Sequence, residues 1–201
     1  MKLLTSDASP FARKVRVLLR EADLLDRVEE VAVSTSPTAS DPGVVAANPL
    51  GKIPTLLRDD GPAIYDSRII TRYLDTLTER SFYPERSIWD VLTLEATADA
   101  MMEATILRVY EARLRPKKMQ FPDWLEAQKG KADRALDVIE ARWMSMLEGP
   151  LHMGQIAVAC ALGYLDLRMS SEDWRGSRPS LAKWYGTFSE RPSMQDTRPP
   201  G

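Results

Sequence analysis

A chain of 201 residues with 44% hydrophobic side chains can bury a sizeable core, as one domain or two small ones, which excludes a disordered tail. Its formal charge of -2, with acidic and basic residues interspersed, gives no overall field toward nucleic acid or an anionic membrane, so neither is expected as a partner. The single cysteine, Cys160, excludes an intramolecular disulfide; paired-cysteine zinc spacings are missing, and the expectation is a metal-free protein of a reducing compartment.

The opening "MKLLTSDASPF" has only two consecutive apolar residues after Lys2, too few for a signal-peptide core, and no apolar run reaches membrane-spanning length; a soluble cytoplasmic protein is expected. "KLLTS" is a short candidate strand. Phe11, Val15, Leu18, Leu19 and Ala22 then recur at helical spacing, with Arg13, Lys14, Arg16 and Arg20 on the other positions, which predicts an amphipathic helix. "VEEVAV" reads as a second strand, and the polar, Pro- and Gly-containing stretch from Ser34 to Gly43 as a loop. "IPTLLRDDGPAIYDS" holds two short apolar runs divided by Asp60 and Gly61, the pattern of a hairpin, and Asp66 or Ser67 opens another helix through "RIITRYLDTL".

Beyond a polar connector near Thr78 to Glu85 the strand signals stop. One long helix is predicted from Arg86 to Leu114, where Pro116 forbids continuation, and a second from about Pro122 to Leu147. A third, "GQIAVACALGYLDLRM", is apolar on nearly every face and reads as the buried centre of a helical domain. "PSLAKWYGTFSERPSM" supplies one more helix with a Pro-terminated end. The plan is an α/β domain over residues 1–77, a linker at 78–85 and an all-α domain over 86–201.

Three places carry chemistry. Ser9 stands before Pro10 at the first helix start, where it is either an N-cap or a reactive hydroxyl. In "NPLGKIPTL", Pro54 belongs at a strand entrance or edge, which leaves the backbone groups of Ile53 unpaired and available. X-Pro bonds are cis in about one case in twenty, so local sequence alone favours trans there. In "IYDSR", Asp66 and Ser67 sit where a strand meets a helix: simple capping, or a carboxylate for an ammonium and free N–H groups for a carboxylate.

The remaining candidates have plainer readings. His152 is the sole histidine and has no second ligand or nucleophile nearby in sequence; Cys160 lies in apolar surroundings as inert packing. Arg113, Arg115, Lys117 and Lys118 close a helix as a solvated basic end. Met101 and Met102 are core filling or the lining of a pliable pocket.

Taken together, "SPFARKVR", "NPLGKIPTL", "IYDSRIITRYLD" and an all-helical second half resemble the cytosolic glutathione transferase superfamily, particularly its bacterial members, over the whole chain. The resemblance implies a thioredoxin-like first domain, a cis bond before Pro54, a homodimer, and a detoxifying transferase that uses glutathione as co-substrate without a metal. It implies that Ile53 pairs its backbone with the cysteinyl part of glutathione. Asp66 and Ser67 then hold the γ-glutamyl end, Lys52 reaches the glycyl carboxylate, and Arg68 adds a contact.

Ser9 occupies the place of a catalytic Ser or Cys, donating to the thiolate, with Arg13 or Lys14 adding positive potential and Thr5 and Ser6 as fallback donors. Phe11, Met101, Met102, Arg108 and Tyr110 are the expected wall for a small hydrophobic electrophile or a peroxide. Because Ser9 cannot form a mixed disulfide, a thiol-transfer role is disfavoured. Alternatives on the same scaffold are a non-catalytic interaction or regulatory module, or a glutathione-dependent isomerase or dehalogenase. One departure from the family pattern is its capping box of Ser or Thr with Asp, which becomes His152 with Gln155 here and puts local helix stability in question.

Overall fold

Leu3 and Leu4 are buried in β1 (Lys2–Thr5), the middle strand of a sheet ordered β2-β1-β3. β2 (Glu29–Ala32) runs parallel to β1, with Leu3 opposite Glu30. β3 (Thr55–Leu57) runs antiparallel, with Leu4 opposite Thr55. A parallel pair needs a crossover, and α1 (Pro10–Glu21) supplies it, started by the Ser9 cap and Pro10 at its first position. The predicted hairpin is shorter than its sequence pattern: Leu56 and Ile64 exchange two backbone bonds of 3.0 Å each as a single bridge. The loop expected to end at Gly43 gives way at Pro42 to α2 (Pro42–Ala47), capped by Asp41. α3 (Ser67–Asp75) follows, capped by Asp66.

The computed structural model describes residues 1–199. These divide into two units, Met1–Arg86 together with the chain from Arg191 onward, and Ser87–Glu190. That corrects the expected 86–201 domain at its far end. α9 (Pro192–Asp196) packs on α1, where Arg191 and Ser193 bind the Glu21 carboxylate and Arg13 donates to the Met194 carbonyl at 3.0 Å. Residues 200–201 of that expected domain lie outside the described residues. The connector at 78–85 is likewise part of the first unit: Phe82 and Tyr83 are buried, and Tyr83 shares a 2.8 Å hydrogen bond with Thr71 of α3.

The second unit is helical. α4 (Ile88–Leu114) packs against α5 (Pro122–Arg142) and α7 (Met153–Arg168), and α7 is buried at every position from Met153 to Leu165. The second predicted helix breaks at Trp143, leaving α6 (Met144–Leu147) as a separate turn. α8 (Pro179–Phe188) is started by Glu140 of α5, which accepts from the Ser180 and Leu181 N–H groups at 3.1 and 2.7 Å. Among the described residues, no helix is long and apolar enough to cross a membrane.

Candidate functional site

Sheet register alone brings three of the sequence candidates together. β1 ends at Thr5 and leads directly to Ser9, while β3 begins opposite Leu4, so the Ile53–Pro54 peptide lies at that same end of the sheet. Ile64 pairs antiparallel with Leu56, which carries the chain back to Asp66 at the same end. Ser9, Ile53 and Asp66 thus converge within the first unit.

The Ile53 loop is shaped by residues that sequence reasoning passed over. Buried Asn48 donates from Nδ2 to the Lys52 carbonyl at 3.0 Å and to Thr55 Oγ1 at 3.1 Å, and its Oδ1 accepts from the Leu50 N–H at 3.0 Å. Thr55 Oγ1 also donates to the Lys52 carbonyl at 2.8 Å. Gly51 turns the loop at a φ of +62°, and a Cβ there would lie 2.7 Å from Ser40 Oγ, so any larger residue is strained at this position. Ile53–Pro54 is cis, unlike the trans bond that local statistics favour. Among the described residues neither backbone group of Ile53 has a protein hydrogen-bond partner, while Lys52 projects its side chain into solvent. An extended peptide laid beside Ile53 would find both a donor and an acceptor.

Asp66 is the N-cap of α3. Its Oδ1 accepts from the Arg68 N–H and its Oδ2 from Arg68 Nη2, both at 3.0 Å. Partial burial works against ionisation of the carboxyl, but Arg68 and the positive charge of Lys14 outweigh it and hold the group below its ordinary value of 3.8. Asp66 therefore stays an exposed carboxylate, and Ser67 beside it is buried at the head of the helix. Arg68 serves here as a partner of Asp66.

Ser9 is half-buried, with extended backbone and its Oγ accepting from the Ala12 N–H at 3.2 Å. That bond uses an oxygen lone pair and leaves the hydroxyl proton for another acceptor. Nearby, Thr5 Oγ1 is buried without a partner and Ser6 is half-buried. The sequence reading placed Arg13 on the polar side of α1 as a source of potential for Ser9; instead it is buried and tied to α9 through Met194 and Thr197. Arg16 is buried as well, bound to Glu30 at 2.9 Å and Asp7 at 2.7 Å. Lys14 is fully buried, and its charge acts on Asp66. Phe11 is half-buried.

The expected electrophile wall does not form as drawn. Met101 and Met102 are 1% and 0% exposed, core residues of α4 with no surface to offer a ligand. Arg108 donates from both Nη1 and Nη2 to Glu172, beside a cavity of about 180 Å³ that Lys129, Leu136, Leu165 and Trp174 also line. Half-buried Tyr110, by contrast, borders a cluster with Arg113, Tyr164 and Arg168. Burial raises the pKa of both phenols; at Tyr164 the charges of Arg168 and Arg113 oppose the rise and Tyr110 adds to it.

Cys160 is buried in α7, as expected for packing. His152 is buried at the start of α7, where the Gln155 side chain completes the cap: Oε1 accepts from the His152 N–H at 2.7 Å, and Nε2 donates to the Leu147 and Gly149 carbonyls. Neither imidazole nitrogen has a partner of good hydrogen-bond geometry. Burial pushes its pKa down from 6.5, offset only in part by the backbone near Met146.

A small mixed sheet flanked by helices, with a cis-proline loop and a capped acidic turn at one sheet end, followed by a helical unit, defines a thioredoxin-like domain joined to a helical-bundle domain. The family model described as the glutathione S-transferase N-terminal domain matches residues 8–77, and that of the C-terminal domain matches residues 122–187. The uncharacterized GST-like protein YibF of Escherichia coli K12 is 34% identical over 205 residues, spanning 100% of this chain and 99% of that one.

Among solved structures, a glutathione transferase family member from Pseudomonas fluorescens Pf-5 with bound glutathione superposes with a TM-score of 0.97 at 44% identity, covering 100% of this chain and 99% of that one. A second structure from that organism, with bound S-(propanoic acid)-glutathione, gives a TM-score of 0.92 at 43% identity and covers 100% of both chains. The chain belongs to the glutathione S-transferase family.

Proposed function

We propose that the protein binds glutathione in its first unit and transfers the sulfur, as a thiolate, to a small electrophile. The observation that carries this reading is the convergence of the Ser9 hydroxyl, the unpaired Ile53 backbone and the Asp66 carboxylate at one sheet end. Each matches one part of the tripeptide. Ile53 pairs with the cysteinyl backbone, Asp66 takes the γ-glutamyl ammonium, the N–H groups at Ser67 take its carboxylate, and Lys52 reaches the glycyl carboxylate. Arg68 keeps Asp66 charged and in place.

Ser9 then donates to the sulfur at the N-terminus of α1, where the helix dipole adds positive potential. Lowering a thiol pKa from about 8.5 to about 6.5 requires roughly 2.7 kcal/mol of differential stabilisation. At neutral pH the thiolate becomes the majority form. The bound glutathione of the Pseudomonas structure, at 44% identity, supports the ligand; the adduct in the other supports sulfur alkylation. The same reading makes the protein a cytoplasmic homodimer that detoxifies electrophiles.

Calorimetric titration with glutathione, combined with a spectrophotometric conjugation assay, tests it. Binding at submillimolar ligand is expected, weakened at least tenfold in Asp66→Asn. No binding at millimolar glutathione would overturn the proposal. Binding with no turnover of any chloronitrobenzene or enal would make the chain a glutathione-binding module instead.

A further inference from the structure

The corner where α4 gives way to α5, within the second unit, shows large apolar side chains and cations to water together. Leu114, Met119, Phe121 and Trp124 are all exposed, Met119 at 58% and Phe121 at 59%. Arg113, Arg115, Lys117 and Lys118 lie among them and are exposed as well. A basic helix end accounts for the charges but gives the apolar side chains no reason to face water, and a cluster of this kind marks a contact surface. The corner is held in shape from within. Gln120 Nε2 donates to the Ala112 and Arg115 carbonyls at 3.2 and 3.1 Å, the Phe121 N–H to Glu111 Oε1 at 3.0 Å, and the Met119 N–H to the Pro116 carbonyl at 2.7 Å. The exposed side chains therefore stand on a fixed turn.

Its charge is one-sided. From Glu111 to Phe121 the only carboxylate is Glu111 itself, which Arg115 engages at 2.8 Å; among the described residues, Arg113, Lys117 and Lys118 have no carboxylate partner. The acids that follow, Asp123 and Glu126, fall in the first turns of α5, where the helix dipole favours negative charge. Lys131 adds a cation over the Trp124 ring, 5.7 Å from its centroid. The net charge of -2 describes the whole chain, whereas a surface met by this corner feels the charges within a Debye length of it. Cations interleaved with bulky apolar side chains suit a partner that is anionic at its face and apolar just behind it, which is the make-up of a bilayer leaflet with acidic headgroups. Nucleic acid would answer the charges but offers no apolar phase for Leu114 and Met119.

We propose that the α4–α5 corner docks this protein reversibly on membranes that contain anionic phospholipid. Arg113, Arg115, Lys117 and Lys118 meet the headgroups, while Met119, Phe121 and Trp124 enter the interfacial layer. Docking is peripheral, since no helix among the described residues is long and apolar enough to cross a membrane. The proposal stands on the second unit alone and does not depend on the transferase reading. Co-sedimentation of the full chain with sucrose-loaded vesicles tests it, using pure phosphatidylcholine against a mixture with about one-third phosphatidylglycerol, a content at which each cation near the surface strengthens binding about fivefold. The partition coefficient should be at least tenfold higher on the anionic vesicles and fall at least fivefold as salt rises from about 0.05 to about 0.3 M.

Lys117→Gln with Lys118→Gln should lower that partition at least tenfold, and Met119→Ser with Phe121→Ser should do the same. Arg142→Gln with Lys183→Gln removes the same net charge from exposed positions elsewhere, Arg142 lying about 30 Å away at the other end of α5, and should leave partition within twofold of wild type. Trp124→Phe should still bind but lose the blue shift of tryptophan emission that anionic vesicles produce. Melting temperature reports the fold of each variant; if the Met119 and Phe121 pair fails to fold, the lysine pair and the wild-type lipid preference still decide. No binding, equal binding to both vesicle types, or binding that the two corner pairs leave unmoved would overturn the proposal. So would self-association without lipid that Met119→Ser with Phe121→Ser abolishes, which would make a second copy the occupant, or binding to duplex DNA but not to vesicles. Glutathione titration is unaffected by any of these outcomes, so the two readings fail separately.

Discussion

Glu21, at the end of α1, is clamped by Arg191 from 170 residues further along the chain: Nε donates to Oε1 at 2.8 Å and Nη2 to Oε2 at 2.7 Å. Burial alone would raise the Glu21 carboxyl, but the Arg191 and Ser193 hydrogen bonds and the charges of Arg191 and Arg80 bring it below its ordinary value of 4.5. Stability from this clamp is therefore complete above about pH 4.5 and disappears as pH falls through the lower folded value. Arg191 is itself 39% exposed, so solvent screening moderates the pair. Arg191→Ala should cost about 2 kcal/mol at pH 7, and less at pH 4, where the stranded carboxyl takes up a proton. Calorimetric melts at the two pH values read the difference. An equal loss at both would rule out the ion pair as its source.

The observed cap at Ser9 and its proposed role as thiolate donor can be separated. Ser9→Ala removes the cap on Ala12 and should cost about 1 kcal/mol of stability, whereas Ser9→Asn retains a capping acceptor. Both lose the hydroxyl, and both should raise the bound glutathione thiol's pKa by about 1 or more, roughly 1.4 kcal/mol, seen as ultraviolet thiolate absorbance against pH. If the thiol titrates as before in both, the donor is a different hydroxyl, and Thr5 is the next to replace.

Asn48 never touches the proposed ligand, yet it ties Lys52, Thr55 and Leu50 into the loop that presents Ile53. At about 1 kcal/mol net for each of its hydrogen bonds, Asn48→Ala should destabilise the protein by about 2–3 kcal/mol and weaken glutathione binding at least tenfold. Thermal melting and calorimetry on the same sample check the two together. A large stability loss with intact affinity would show that the loop holds its shape by other means.

His152 should make the helical unit acid-sensitive. Its folded pKa is depressed by burial, so the unfolded chain takes up the proton first, and stability falls as pH drops below about 6.5 toward the folded value. His152→Asn offers a better cap to α7 beside Gln155 and removes the titration. It should gain about 1 kcal/mol at pH 7 and show a flatter melting temperature between pH 7.5 and 5.5. A variant whose melting temperature falls with acid as steeply as the wild type would place the sensitivity in another group.

Helical periodicity read most of the helices correctly because their apolar positions are the buried ones, as with Val15, Leu18 and Leu19 in α1. It failed where length or context intervened. α2 has six residues and buries only Val44, so its one signal was the Asp41–Pro42 start. Arg13, Lys14 and Arg16 look like a solvated face in any amphipathic plot, but partners distant in sequence allow them to be buried. In the site, Ser9, Ile53, Asp66 and Ser67 were legible as strand-end and cap residues. Asn48 was not, since a buried amide knitting a loop leaves no periodic trace. Nor could spacing foresee the Arg108–Glu172 pair, which is closed across 64 positions.

Because α9 joins the first unit, the helical unit is, by connectivity, a 104-residue insertion within it. On the ribosome, the sheet and its early helices are made first, yet the partner that seals Glu21 and Arg13 emerges only after every helix of the insertion has been synthesised. A chain stalled before Arg191 would carry the Ile53 and Asp66 loops with the back of α1 still open, a natural target for chaperones and proteases.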